Sequence, residues 1–80
     1  MELLNAITVG RVIQKTREEK GVSQEVLSGL ADIGRTHLSA IERGERKPTL
    51  ETFFRLADAL DMPASRLMEK IEARMNRPNT

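Results

Sequence analysis

The sequence predicts an all-α fold, a compact five-helix domain, and three observations support this prediction. Apolar residues recur three and four positions apart in five stretches, which is the period of a helix. Residues that begin or end helices, such as Ser, Thr, Gly and Pro, separate these stretches. No stretch alternates apolar and polar residues as a half-buried strand does. The 80 residues suffice for one small domain, assigned to residues 1–75 and followed by a disordered tail at residues 76–80.

The first helix is predicted to begin before Val9 and to end at Gly21. Val9, Val12 and Ile13 form an imperfect apolar face, which Thr16 continues. Gly21 stops the helix because glycine readily adopts the left-handed conformation that ends many helices.

Residues 23–44, SQEVLSGLADIGRTHLSAIERG, are predicted to form two short helices joined by a tight turn. Ser23 suits the N-cap of the first helix, and Asp32 ends it because Asp tolerates the left-handed conformation. Gly34 can cap the second helix, which ends at Gly44. This stretch therefore predicts a helix-turn-helix, and the other helices are organised around it.

The second helix of this pair has one packing face and one polar face. Leu38 and Ile41 point inward, three residues apart. The outward residues are small, hydroxylated or basic: Arg35, Thr36, Ser39, Ala40 and Arg43. Such a surface suits insertion into the DNA major groove, which is just wide enough for a helix. An ordinary helical hairpin with a solvated polar face is the alternative at this point.

The fourth and fifth helices are predicted at residues 50–60 and from Pro63 to about Met75. Pro48 prevents the preceding segment from continuing smoothly as a helix, and Thr49 caps the fourth helix. The apolar stripe of this helix is about 160° wide. This width exceeds the needs of a small core, so one edge is predicted to face the core and the other a partner. A homodimer is expected because so short a chain is marginally stable alone. Its predicted interface residues are Leu56, Leu60, Leu67, Met68 and Ile71.

Composition excludes several classes of function. The net charge is only +1, so any charge that binds DNA must be local, and residues 34–47 hold four basic residues against two acidic ones. The absence of cysteine excludes a thiolate metal site and permits a reducing cytoplasm. No apolar run is long enough to span a membrane, and the first residues contain no visible signal peptide. We therefore expect a cytoplasmic protein without cofactor, metal site or membrane partner.

Several motifs together resemble the helix-turn-helix family of phage repressors and Cro proteins, the XRE type. They are Gly10 and Ile13 in the first helix, the runs REEKGVSQ and IERG, and the proline before the fourth helix. The resemblance covers roughly Val9 to Met68 and implies a lambda repressor-like DNA-binding fold. Within this family, the small size and the run RTHLSAIERGER resemble the controller proteins of restriction–modification systems. That resemblance implies a homodimer that binds double-stranded DNA at a palindromic operator and regulates transcription, a role that also allows RNA polymerase as a partner.

The resemblance also implies roles for individual residues. The implied base-contact residues are Arg35, Thr36, His37, Ser39 and Ala40. The implied phosphate-contact residues are Ser23, Gln24, Arg43, Arg46 and Lys47. Gln24 in particular would aim its amide at a phosphate from the N-terminus of its helix.

Arg17 and Glu42 are predicted to form a salt bridge. In the resembling repressors an arginine at this place in the first helix pairs with this glutamate, so we expect a sheltered pair. A solvated Glu42, with Arg17 on a phosphate, is the alternative. Four residues depart from the family pattern: Thr16, Ser28, Asp32 and Gly34. Ser28 packs against the second helix of the helix-turn-helix pair, and it fits there if its hydroxyl donates a hydrogen bond back to a carbonyl.

Two other functions compete with DNA binding. An enzyme is not expected, because His37 is the only histidine and no acidic residue is placed to orient it. An antitoxin-like module that holds a toxin and autoregulates its operon is the serious alternative, since such antitoxins share this fold. They usually carry extra sequence for the toxin, whereas only the last few residues of this chain are unassigned.

Overall fold

The computed structural model describes residues 3–76, and this part of the chain contains five α-helices and no strand. In chain order they are α1 (Ala6–Glu19), α2 (Gln24–Ala31), α3 (Arg35–Glu42), α4 (Leu50–Ala59) and α5 (Ala64–Met75). The predicted all-α fold of five helices is confirmed. Asn76 is the C-cap of α5, and residues 77–80 of the predicted tail lie outside the described residues. Over the described range, no helix has both the length and the apolar content to cross a membrane.

Short polar side chains and left-handed residues set the helix ends. The hydroxyls of Ser23 and Thr49 each accept a hydrogen bond of 3.1 Å from a backbone N–H of the first helical turn, as predicted for N-caps. Asp32 ends α2 with φ 57°, and Gly44 follows α3 with φ 79°. The start of α1 is a finding that the sequence left open: the side chain of Asn5 caps it.

One hydrophobic core joins the five helices. α1 packs on α3 and α5, α2 packs on α3 and α4, and α4 packs on α5. The largest fully enclosed side chains are Val9, Ile13, Leu27, Leu38, Ile41, Leu56, Leu60, Leu67 and Ile71. Each such side chain stabilises the fold by about 1.5–3 kcal/mol when it leaves water. Every helix contributes at least one of them, so the domain has no part that packs separately.

This packing corrects the predicted dimer interface. Four of its five residues are fully enclosed in the protomer's own core, because a small domain needs them to close it: Leu56, Leu60, Leu67 and Ile71. A second copy could contact these side chains only if the domain opened. Met68 is half-buried. The predicted outer edge of α4 does exist, but its solvent-exposed apolar residues are Leu50, 75% exposed, and Phe54, 62% exposed.

Gly10 fixes the distance between α1 and α3. A Cβ at this position would lie 2.1 Å from the carbonyl oxygen of Ile41 and 2.8 Å from that of Glu42. Both distances are far below van der Waals contact, so only glycine lets the two backbones approach this closely. The backbone of α1 therefore rests directly on the last turn of α3 and determines how far α3 projects from the domain.

Candidate nucleic-acid interface

The two faces of α3 have opposite environments. Leu38 and Ile41 are fully buried and attach the helix to the core. Arg35 and Thr36 are exposed at the N-terminal end of the helix. His37, Ser39 and Ala40 are half-buried. Arg35, Thr36, Ser39 and Ala40 therefore belong to the side of α3 that the core leaves uncovered, and His37 lies at its edge. Their contacts with bases stay a prediction.

The turn between α2 and α3 is held by local contacts. The buried Ser28 hydroxyl donates a 3.1 Å hydrogen bond to the carbonyl of Glu25, which is the back-bond that the sequence required. Gly34 is the N-cap of α3 and supplies no side-chain hydrogen bond. Arg55 of α4 reaches Asp32 at 3.5 Å from solvent-exposed positions, so this contact adds little to stability. The turn thus depends on backbone conformation more than on capping.

A buried ion pair ties the C-terminal end of α3 to α1. Arg17 Nε donates to Glu42 Oε2 at 2.7 Å, and Arg17 Nη2 donates to Glu42 Oε1 at 3.0 Å. The hydrogen bond to the Glu42 carboxylate raises the pKa of Arg17, and burial opposes that rise. Arg17 Nη1 donates to the carbonyl of Val22 at 2.8 Å, so the third guanidinium nitrogen also has a partner. The predicted Arg17–Glu42 pair is present, and the alternative with a solvated Glu42 is excluded.

Gln24 completes this network from α2. Its Nε2 donates to Glu42 Oε1 at 2.9 Å, and the other carboxylate oxygen accepts from Arg17, so both Glu42 oxygens are hydrogen-bonded. Gln24 itself is half-buried. The sequence contains no signal for this contact, because Gln24 and Glu42 are 18 residues apart. A primary amide carries two N–H groups, and the second can still donate to a phosphate. The phosphate role of Gln24 stays a prediction.

The other predicted phosphate-contact residues have different surroundings. Ser23 is exposed, and its hydroxyl hydrogen is available to a phosphate while the oxygen caps α2. Arg43 donates from Nε to Glu45 Oε2 at 2.8 Å and also donates to the Ser39 hydroxyl. The contact with Glu45 raises the pKa of Arg43, chiefly through the hydrogen bond. Lys47 donates from Nζ to the carbonyl of Leu4 at 3.1 Å and thereby holds the N-terminal segment.

The charge balance around α3 favours an anionic ligand. Glu42 is paired with Arg17 and Glu45 with Arg43, so the acids of this region are compensated within the protein. Arg35 and Arg46 are exposed and form no ion pair with another described residue. The surface can therefore accept phosphates and base edges through its donors. His37, whose ring forms no hydrogen bond within residues 3–76, has no partner there to orient it for proton transfer.

Comparisons with known proteins agree with this geometry. A family model described as helix-turn-helix matches residues 13–67. The control protein C.MunI of Mycoplasma sp is 34% identical over 67 residues, which cover 82% of this chain and 90% of that protein. Three other curated relatives are longer, and this chain covers 21%, 46% and 43% of their lengths.

Solved structures resemble the chain over most of its length. The crystal structure of the wild-type restriction–modification controller protein C.Esp1396I superposes with a TM-score of 0.86 at 28% identity and covers 98% of this chain and 100% of that one. The controller protein C.AhdI from Aeromonas hydrophila gives a TM-score of 0.75 at 34% identity and covers 78% of this chain and 94% of that one. The resemblance inferred from the sequence motifs is confirmed.

Proposed function

This chain belongs to the helix-turn-helix family of transcriptional regulators, and from that premise we propose that it binds a palindromic DNA operator as a homodimer and controls a restriction–modification operon. The observation that carries the proposal is the uncovered polar face of α3, held in place by the buried Arg17–Glu42 pair. Resemblance to controller proteins over nearly the whole chain supports the narrower role. If the protein binds such an operator it acts where the DNA is, so we also propose a cytoplasmic location.

In this proposal Arg35 reads a base. It stands at the N-terminal end of α3, and its guanidinium forms no ion pair with another described residue. An arginine in the major groove binds guanine O6 and N7 with two parallel hydrogen bonds. Thr36, Ser39 and Ala40 lie on the same uncovered side and would contact neighbouring base edges. His37 flanks this set.

Phosphate contacts are proposed to fix the position of α3. Ser23 and Gln24 stand at the N-terminus of α2, where backbone N–H groups and the helix dipole favour an anion. Arg46 is an exposed cation beyond the end of α3 and suits a phosphate contact. Arg43 would have to exchange its contact with Glu45 for a phosphate, which is inexpensive because both side chains are exposed.

The dimer is proposed to form along the edge where α4 meets α5. Leu50 and Met68 line the same cavity of about 50 Å³, and Phe54 stands one turn along α4 from Leu50. Solvent-exposed apolar side chains on one edge are typical of a contact surface. Two α3 helices related by the dimer axis would then lie about 34 Å apart, which is one turn of DNA.

Selection of bound sequences from random duplex DNA tests the proposed function. We expect enrichment of an inverted repeat whose half-sites are centred about one helical turn apart. Enrichment of a single half-site would overturn the dimer, and no enrichment would overturn sequence-specific DNA binding. Leu50→Ser together with Phe54→Ser should convert the dimer to a monomer in sedimentation analysis. Ile7→Ser, which changes another exposed apolar residue, is the matched control and should leave the dimer intact.

A further inference from the structure

A groove runs between α1 and α5. It consists of two adjoining cavities of about 410 and 530 Å³ that share the lining residues Thr16, Glu19 and Lys70. The remaining uncharged part of the lining is apolar: Val12, Ala73, Met62 and Pro63. A trough with an apolar lining and this volume can accept side chains of another polypeptide.

Five cations line this groove and have no partner among the described residues. They are Lys15, Lys20, Arg66, Lys70 and Arg74, against the single acid Glu19. No side chain of these five forms an ion pair or hydrogen bond with another residue of the described range. Three of them follow one another at four-residue spacing along α5, where like charges repel. Within residues 3–76, a column of unpaired positive charge therefore stands beside an apolar trough.

The groove is separate from the proposed DNA and dimer surfaces. At about 100° per residue, the groove residues of α1 lie opposite Gly10 and Arg17, which contact α3. The cations of α5 likewise lie on the other edge of that helix from Met68 and Met75. An operator bound to α3 would not neutralise these charges, and the proposed dimer would leave the groove open.

We propose that the α1–α5 groove docks an acidic, amphipathic segment of a partner protein. The cation column would pair with the carboxylates of the segment, and the apolar lining would receive its hydrophobic side chains. A nucleic acid fits less well, because a duplex backbone offers no apolar side chains to the trough. The proposal goes beyond operator binding and does not depend on it.

A synthetic peptide tests this proposal directly. The probe is a fluorescein-labelled helical peptide with Leu on one face and Glu on the other, and its binding is measured by fluorescence anisotropy. Lys70→Glu, which reverses one charge shared by both cavities, should raise Kd about tenfold, and added salt should reduce the difference. Arg11→Glu makes the same charge change on an exposed part of α1 outside the groove and should leave Kd almost unchanged.

Amide chemical shifts of the full chain then locate the probe. The proposal expects changes on α1 and α5, and it expects a peptide with Gln in place of Glu to bind far more weakly. It is overturned if the acidic peptide does not bind, if the Gln peptide binds equally well, or if the shifts fall on α3. Changes in the groove caused by random duplex DNA, but not by the peptide, would assign the groove to nucleic acid instead. Thermal melting should give the same Tm for both variants.

Discussion

Two Arg–Glu pairs flank the end of α3 with nearly the same geometry and very different surroundings. Arg17 Nε lies 2.7 Å from Glu42 Oε2, and Arg43 Nε lies 2.8 Å from Glu45 Oε2. The side chains of the first pair are 10% and 2% exposed, whereas those of the second are 55% and 57% exposed. The first pair stands between α1 and α3, and the second stands in solvent beside the proposed DNA surface. Distance alone therefore says little about what a salt bridge contributes.

The difference in burial between the two pairs indicates that the inner and outer sides of α3 have different roles. The buried pair has lost its hydration, so removal of one partner leaves a buried charge without its main counter-ion. The exposed pair remains hydrated and can exchange partners with phosphates at little cost. We expect changes on the inner side of α3 to affect folding, and changes on the outer side to affect DNA binding.

The largest expected effect follows from removal of the buried pair. Arg17→Met strands the more deeply buried carboxylate and should reduce the free energy of unfolding by about 3–5 kcal/mol. Glu42→Leu should cost less, because Arg17 keeps the Val22 carbonyl and has Glu18 within 3.9 Å. The double variant should cost clearly less than the sum of the two changes. Urea unfolding of the four proteins measures this cycle, and additive effects would contradict the coupling.

Gly10→Ala should also act on the inner side of α3. The added methyl group would collide with two carbonyls of α3, so the helices must separate, at a cost of about 3 kcal/mol. Gly29→Ala is the matched control in α2, because a Cβ there meets nothing within 4 Å. That change should raise stability by roughly 0.5–1 kcal/mol, since alanine favours helix interiors. Thermal melting distinguishes the two, and equal Tm shifts would contradict the close approach of α1 and α3.

Substitutions on the outer side should leave folding intact and alter DNA binding. Arg35→Ala should weaken binding to the selected operator by about 1–3 kcal/mol per half-site and remove the preference at one base pair. Arg46→Ala should weaken binding to all sequences alike and lower the salt slope by about one. Fluorescence anisotropy against operator and random duplex at several salt concentrations measures both. Equal loss on both duplexes for Arg35→Ala would refute its role as a base reader.

The smallest expected effect concerns the exposed pair. The hydrogen bond from Arg43 lowers the pKa of Glu45, so the pair is complete above the ordinary Glu pKa and is lost as the pH falls through the lowered value. An NMR titration should therefore place the Glu45 pKa below its usual range and should find it back in that range in Arg43→Ala. The Tm of this variant should match that of the unchanged protein, because both side chains are in solvent. A clear drop in Tm would mean that the exposed pair also stabilises the fold, which would contradict the contrast with the Arg17–Glu42 pair.

Most of this fold could be predicted because the signals are local. Ser23, Thr49, Asp32 and Gly44 act on the backbone within a few residues, and each ends or begins a helix as predicted. The Arg17–Glu42 pair joins distant residues, and only the resemblance to a known family predicts it.

The failures of prediction concern tertiary packing. Periodicity identifies the apolar stripe of α4 but does not say which edge of the helix faces the core. The prediction that Leu56 and Leu60 lie at an interface is therefore wrong, because the core encloses them. The phosphate role of Lys47 stays a prediction, because its Nζ donates to the Leu4 carbonyl and an ammonium group carries further N–H donors. Which edge of a helix faces the core depends on how the helices lie in space, which a one-dimensional pattern does not record.

The closed network around Glu42 has a consequence for how the domain opens. Its hydrogen bonds link the end of α1, the carbonyl of Val22, the start of α2 and the end of α3. A fluctuation that detached α3 would break the three hydrogen bonds that reach Glu42 and would expose Leu38 and Ile41. Native-state hydrogen exchange should therefore find the core amides of α1, α2 and α3 opening together, at the free energy of global unfolding. No helix in such a unit unfolds by itself, so proteases would encounter either the folded domain or the globally unfolded chain.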